Sequence, residues 1–354
     1  AIVRQVAGSV GYFHHQGCCQ LPPDLDRVTE TLISLGKSPN VAAVLVVSLG
    51  CEGTDHERLT AEIRKTGKPV RIIRIQELGG VSAAIKAGID AAQELVMLVS
   101  GIQRQPVSID RITMAIKCGA SDTTSGMASN CVVGYVADKL VDLGATVVFG
   151  ETTEFLGGEH LLARRAVNPE VSDKIYEIVN RMEARARSLG CDMRKGQPTP
   201  GNIEGGLSSI EEKSLGAIVK SGTRPIQGVM EYPETIGQRK GLWIKDTPGR
   251  EPEILTGMAA TGAQFMMFST GRGAPQGFPT MPVLKVCGNP NTYERMSHDM
   301  DINAGRIITG EKSIEEVCEE AFSAILDLLS GKQTKNETLG YHSSIDIYTL
   351  GPVI

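Results

Sequence analysis

Aromatic residues are scarce: seven Phe, seven Tyr and one Trp make up 4% of 354 residues. A large core short of rings must be filled by Val, Ile, Leu, Ala and Met, which suits buried parallel strands. No basic tract accompanies the net charge of −5, so the broad electrostatic footprint of a nucleic-acid binder is excluded. No apolar run reaches the length of a membrane span, and no signal-peptide pattern opens the chain. The eight cysteines are too sparse for a disulfide framework and never form C-x-x-C, so reduced, cytoplasmic thiols are expected, some of them free to bind metal. Also missing is the G-x-G-x-x-G that follows the first strand of a dinucleotide-binding unit, with its acidic residue. A nicotinamide-linked oxidoreductase is therefore disfavoured, and no nucleotide cofactor is expected. The chain starts at Ala1 without Met, so an upstream piece is expected.

Glycine, by contrast, is abundant, with 40 residues, and suits tight strand-to-helix turns where loops approach a ligand. Short apolar runs at 10–17, 41–50, 70–77, 94–101, 145–151, 225–232 and 263–270 each close in a glycine-rich or polar loop. Between them lie segments of helical period, such as 24–36, 81–93, 132–144 and 171–190, several ending on glycine. Ser208/Glu211 and Ser313/Glu316 have capping-box spacing. Strand and helix in alternation predict an α/β protein with a doubly wound parallel sheet. The polar connector "GIQRQPVS" (101–108) marks the boundary, giving a compact βα unit at 1–103 and a larger α/β unit at 104–354. Residues 241–253 read as an excursion with turn chemistry, and the tail from 341 is apolar enough to dock on the body.

Ligands of parallel sheets bind beyond the carboxyl ends of the strands, so the residues after each run are the candidates. Cys18, Cys51 and Cys118 each stand beside a glycine in an expected loop. Three thiolates from three loops could hold an iron or zinc ion, or an iron–sulfur cluster with one open iron; as small hydrophobes they could equally be packing residues. His14 and His15 lie at an expected strand end, with a core or surface role favoured. His160 sits at a helix start, where the dipole does not favour it. The segment "KCGASDTTSG" (117–126) supplies Ser121, Asp122 and Ser125 ahead of a helix starting near Asn130. Helix amides and hydroxyls there form a carboxylate or phosphate site. Asn202 and Glu204 repeat the arrangement, and Arg272 could clamp a carboxylate bidentately. An acidic small molecule is the expected ligand. Its chemistry would need a base for the proton beside the carboxylate, and a metal or dipoles to hold the enediolate. Glu77, Asp122, Glu154 and Glu204 are the available carboxylates, with acid and base unassigned.

Five long motifs, beginning at Lys117, Phe149, Thr199, Phe268 and Asp299, resemble the altronate/galactarate dehydratase family, as do "HHQGCCQ" and "QELGG" nearer the start. The family also holds a sulfolactate-cleaving lyase built from two kinds of subunit. The resemblance covers essentially the whole chain in order. It implies a lyase that removes water, or sulfite from (2R)-sulfolactate, from an acidic hydroxy-compound by β-elimination. It further implies dependence on divalent iron, with Mn2+ or an iron–sulfur cluster as alternatives. A dimerising unit that forms part of the site (1–103) would precede a Rossmann-like catalytic unit (104–354). The family's small β-rich N-terminal domain and its glycine-arginine-rich segment are not in this sequence, so a separate small subunit is an expected partner, alongside a homodimeric state. The motif positions are Cys18, Cys51, Glu77, Cys118, Ser121, Asp122, Ser125, Asn130, Glu154, Asn202, Glu204, Thr270, Arg272, Asp301 and Asn303. Cys131 and Lys117 depart from the usual pattern, and a lysine at the rim could pair with a sulfonate. The resulting expectation is Cys118 with Cys18 and Cys51 for metal, and Glu77, Asp122, Glu154 and His160 for catalysis. Lys117, Ser121, Ser125, Asn130, Asn202, Glu204, Thr270, Arg272 and Asn303 are expected to bind substrate. The alternative is a non-catalytic acid-binding subunit of a larger lyase complex.

Overall fold

A computed structural model describes residues 1–341 and 345–352. Near the amino end, β1 (Val44–Ser48) and β2 (Val70–Arg74) pair in parallel, with Val44 opposite Val70. Their partners are helices Pro22–Lys37, His56–Arg64 and Val81–Val99. The first of these has Pro at its start, Asp24 in its first turn and Lys37 in its last, matching the helix dipole at both ends. Ile33, Leu59, Ile63 and Val70 form the small core between these elements.

The larger sheet has seven parallel strands: β3 (Thr113–Gly119), β4 (Thr146–Phe149), β5 (Ile226–Met230), β6 (Gly241–Lys245), β7 (Phe265–Thr270), β8 (Val283–Cys287) and β9 (Ile302–Asn303). Their order is β5-β6-β4-β3-β7-β8-β9. Side chains alternate across it, and each face has its own core. Met114, Ile116, Val147, Phe149 and Met267 pack with residues from helices Asn130–Asp142, Pro169–Ser188 and Ile314–Leu329. Ala115, Val148, Met266 and Phe268 pack on the opposite side against helix Glu251–Ala260, joined by Leu35 from the first helix. The protein is thus α/β, with a Rossmann-like, doubly wound parallel sheet. From β3 the chain fills one side of the sheet, then returns to place β7 on the other. The crevice beyond the carboxyl end of β3 is therefore a topological switch point, where such sheets bind ligands.

Several local expectations differ from the structure. Residues 10–17 form no strand; Tyr12 instead packs on Phe278 and Phe13 faces solvent. The run 94–101 is mostly the second half of helix Val81–Val99, because a short apolar run has no period that separates helix from strand. The start of 241–253 is strand β6, hidden by its flanking glycine and lysine. The "KC" of 117–126 belongs to β3, and a short π-helical segment at Ser125–Ser129 precedes the Asn130 helix. Ser313 and Glu316 do form a capping box, whereas the 210–218 helix is capped by Ser209 through the amide of Glu212. Within the tail, Ile345 and Ile347 are buried, and Asp24 accepts from the amides of Leu350 and Gly351 at 2.8 and 2.6 Å. Residues 342–344 and 353–354 of that tail lie outside the described residues. Among the described residues no helix is long and apolar enough to cross a membrane.

One glycine fixes a part of the site. Gly134 lies within helix Asn130–Asp142, and an added Cβ would overlap the carbonyl oxygen of Val219. Val219–Ser221 is the 3-10 turn that carries Lys220. Gly134→Ala is therefore expected to lower unfolding free energy by about 1–3 kcal/mol, despite the ~1 kcal/mol helix-propensity gain. Urea denaturation checks this; a stabilised variant would show that the turn yields freely.

Candidate active site

The end of β3 puts two reactive side chains on opposite faces of the sheet. Lys117 points to the face of Ala115, and Cys118 to the face of Ile116. Glu151 follows β4 and reaches around the strand ends to serve both faces. Its Oε1 lies 3.0 Å from Lys117 Nζ, while its Oε2 accepts from the Cys118 amide at 2.9 Å and from Lys220 Nζ at 2.5 Å. To do so Glu151 adopts a left-handed backbone, φ 70°, a conformation costing a non-glycine residue about 1–3 kcal/mol and typical of functional sites. Its own amide is held by Thr247 Oγ1 at 2.8 Å.

Glu154, one 3-10 turn later, completes the group. Its Oε2 is 3.0 Å from Cys118 Sγ and 2.6 Å from Lys220 Nζ, which itself lies 3.0 Å from that sulfur. Lys117, Cys118, Glu151 and Lys220 are at most 1% exposed, and Glu154 is 7% exposed. In so dry a site, charges are stable only when paired. Burial opposes the charge on Lys220, but Cys118, Glu151 and Glu154 raise its pKa well above the ordinary lysine range. Burial likewise opposes Lys117, whose pKa is nevertheless raised by Glu151 and Glu251. Burial and then Glu154 push the Cys118 thiol well up. The two carboxylates diverge. Burial and the nearby Glu154 raise Glu151 despite both lysines, whereas Lys220 and Lys213 overcome burial and bring Glu154 down to about 2.

A pocket of about 370 Å3 opens over this group. Cys118, Glu151 and Glu154 line it, as do Ser121 and Asn202, whose side-chain amide donates to the Ser121 carbonyl at 2.9 Å. Lys213, Arg250 and Glu251 add charge to its wall. Lys213 Nζ is tethered to Gln197 Oε1 at 2.8 Å, and Glu251 Oε1 lies 3.5 Å from Lys117 Nζ. Cys118, Glu151 and Glu154 each offer one ligand atom within 4.8 Å of the others. Among the described residues no other trio of His, Cys, Asp or Glu closes in this way. A thiol with two carboxylates is a donor set suited to a divalent transition ion.

The remaining sequence candidates are dispersed. Cys18 and Cys51 are exposed and do not join Cys118; Cys18 Sγ is 3.7 Å from Cys19 Sγ, and Cys51 Sγ accepts from Gln76 at 3.3 Å. Glu77 is exposed beside Arg74, 3.5 Å away, and His160 is exposed on the short helix Glu159–Ala163. Asp122 is committed to its own turn: it accepts from the Ser125 amide at 3.1 Å, Thr124 Oγ1 at 2.6 Å and Asn289 at 3.0 Å. Ser125 Oγ accepts from the Asp122 amide, and the Asn130 side chain donates to the Gly216 carbonyl. Thr270 accepts from the Gly273 amide, and Arg272 pairs with Glu204 at 2.7 Å on the surface. Asn303 ends β9, its carbonyl accepting from Arg306, while Asp301 accepts from the amides of Lys285 and Lys335. Lys117 does not stand on an open rim; it is sealed inside the sheet with its Nζ 4.7 Å from the Phe268 ring centre. Sequence reasoning missed Glu151, Lys220, Lys213, Arg250 and Glu251.

A buried thiol–carboxylate group beneath a charged pocket, at the switch point of a doubly wound sheet, is the layout of an enzyme acting on a small polar molecule. Comparison with known proteins gives the family. Residues 109–353 match the D-galactarate/altronate dehydratase C-terminal family, and residues 2–100 match the second domain of D-galactarate dehydratase/altronate hydrolase. The chain belongs to this family, and its relatives are lyases. It is 38% identical to the (2R)-sulfolactate sulfo-lyase subunit beta of Chromohalobacter salexigens, over 98% of this chain and 88% of that one. Identity is 35% to the galactarate dehydratase (L-threo-forming) of Escherichia coli and 31% to the altronate dehydratase of Bacillus subtilis, over 91% and 92% of this chain. The chain spans 63% and 64% of those two dehydratases.

Proposed function

We propose that this chain carries the active site of a metal-dependent lyase that opens a small acidic hydroxy-compound by β-elimination. The reaction would be dehydration of a sugar acid or release of sulfite from (2R)-sulfolactate. The observation that carries the reading is the buried Cys118–Glu151–Glu154 group facing a pocket walled by Lys213, Arg250 and Glu251. Residues 104–354 supply this machinery, with residues 1–103 as the dimerising unit. A relative named as a subunit beta supports assembly with a second subunit.

The donor set fits a divalent ion, iron first and manganese second, held by Cys118, Glu151 and Glu154. A cluster held mainly by thiolates does not fit a group with one thiol. When bound, the ion supplies Lewis-acid stabilisation of the negative charge that develops beside the substrate carboxylate. The chain's own residues do the rest. Lys213 and Arg250 attract the substrate's anionic group to the pocket, and the Ser121–Asn202 wall offers hydrogen bonds to its hydroxyls. Glu251 is the one carboxylate lining the pocket outside the donor group, which leaves it to take the proton next to the substrate carboxylate. Loss of that proton and departure of hydroxide or sulfite from the neighbouring carbon leave an enol that rearranges to a 2-keto acid.

Incubating the Fe2+-supplied protein anaerobically with sulfolactate, altronate and galactarate, and assaying sulfite and 2-keto acid, tests the reading. Turnover of one of the three is expected. No turnover of any, even with a small partner subunit added, would favour an acid-binding subunit instead.

A further inference from the structure

The Cys118–Glu151–Glu154 triangle already has a cation. Lys220 Nζ lies 3.0 Å from Cys118 Sγ, 2.5 Å from Glu151 Oε2 and 2.6 Å from Glu154 Oε2. Its three hydrogen-bonding directions are thereby spent on the three donor groups that would hold a metal. We infer that Lys220 is a placeholder: its ammonium holds the donor group together before metal enters, and must be displaced from the triangle for the ion to bind. The inference rests on the metal site proposed above and adds the residue that controls its filling.

Two physical arguments support it. Metal–ligand bonds of about 2.0–2.3 Å to one sulfur and two carboxylate oxygens place the ion inside the same triangle. An ammonium nitrogen within hydrogen-bonding distance of all three atoms occupies that volume, so the two cations exclude each other sterically as well as by charge. The second argument is charge balance. Two lysines and two glutamates form a neutral buried set around a neutral thiol. A divalent ion that converts the thiol to thiolate leaves one surplus positive charge if Lys220 stays. Withdrawal of Lys220 restores neutrality, and a buried unpaired charge is the costlier state. Withdrawal of the ammonium needs only rotation about the bonds of the long lysine side chain, since the Val219–Ser221 turn that carries it is held by the packing of Gly134 and by Arg165, which donates to Ser221. Lys117, by contrast, lies in the middle of the sheet and is bonded to Glu151 and to the Cys118 carbonyl. It is the lysine that stays.

The test is an anaerobic Co2+ titration of metal-stripped wild type, Lys220→Met and Lys220→Gln. The readouts are the thiolate-to-cobalt charge-transfer absorption and the melting temperature. Expected is binding by both variants tighter than wild type by about tenfold or more, with the charge-transfer band lost when Cys118→Ser is added. Without metal, Lys220→Met should melt below wild type and recover when Co2+ is supplied. If Lys220→Met does not fold without the ion, Lys220→Gln, which keeps a polar head group, carries the affinity comparison. Equal or weaker affinity in the variants would overturn the placeholder role while leaving the metal site standing. No thiolate band in any of the proteins would overturn the metal site itself, and the inference with it.

Discussion

Glu251→Gln is expected to lower kcat by about 10²–10⁴-fold, the range a positioned general base contributes. KM should change little, because glutamine keeps the shape and hydrogen-bonding reach of the side chain. Three observations lead to this residue. Glu251 lines the pocket, whereas Glu77, Glu204 and His160 are exposed and are not among its lining residues. It lies outside the thiol–carboxylate group, so a bound ion does not consume its oxygens. It also opens helix Glu251–Ala260, where the dipole favours a carboxylate, and Lys117 Nζ lies 3.5 Å from it. Steady-state kinetics on the substrate identified by the panel gives the result. The Co2+ absorption spectrum of Glu251→Gln should match that of wild type, separating loss of a base from loss of metal. A kcat within tenfold of wild type would assign the proton to another group.

The fold was legible because its signals are redundant. Buried parallel strands read as continuous apolar runs, and three of the seven strands of the large sheet, β4, β5 and β7, fall within such runs, whereas β6 lay in the segment read as turn chemistry. The helices were marked twice, by period and by their end residues, as at Ser313 and Glu316. The site was legible only in part. Cys118, Glu154, Ser121 and Asn202 were singled out because each was expected in a loop after a strand or at the start of a helix, and all four line the pocket. What failed was the inference that exposed-looking loop residues converge. Cys18 sits ahead of the first helix and Cys51 in the loop after β1, and no local rule states which loops of a chain meet.

Lys220, among the residues missed, carried a signal of another kind, one it shares with other buried lysines. Lys117 and Lys245 stand near the carboxyl ends of apolar strands, Lys285 stands in the middle of one, and Lys220 follows the apolar "AIV". All four are buried. A lysine inside a run destined for burial must find partners there: Lys245 finds two carbonyls and Thr261, and Lys285 finds the carbonyls of Ala274 and Gln276. Lys117 and Lys220 find the two glutamates of the site. Glu251 was likewise announced by "REPE" ahead of an apolar helix, a proline-marked start that the turn reading of 241–253 concealed.

Lys117 distinguishes the two ways of reading this chain. On the rim, as the sequence suggests, it would recognise substrate; Lys117→Met would then raise KM, and most for a sulfonate. The structure gives it another task. Its ammonium is wholly buried, 3.0 Å from Glu151 Oε1 and 2.8 Å from the Cys118 carbonyl, and it does not line the pocket. Removing it leaves Glu151 with Lys220 as its remaining ammonium partner and deprives a buried carbonyl of its donor. Breaking a buried pair from one side costs about 3–5 kcal/mol, so Lys117→Met should lose that much unfolding free energy in urea. The ratio of KM values for sulfolactate and the sugar acids should stay as in wild type. Lys117→Met/Glu151→Gln should recover part of the loss, because a neutral amide needs no counter-charge. A stable Lys117→Met protein with altered substrate preference would return the residue to the rim. The expected outcome makes Lys117 a positioning residue, which acts by fixing Glu151, in its left-handed conformation, at the end of β3.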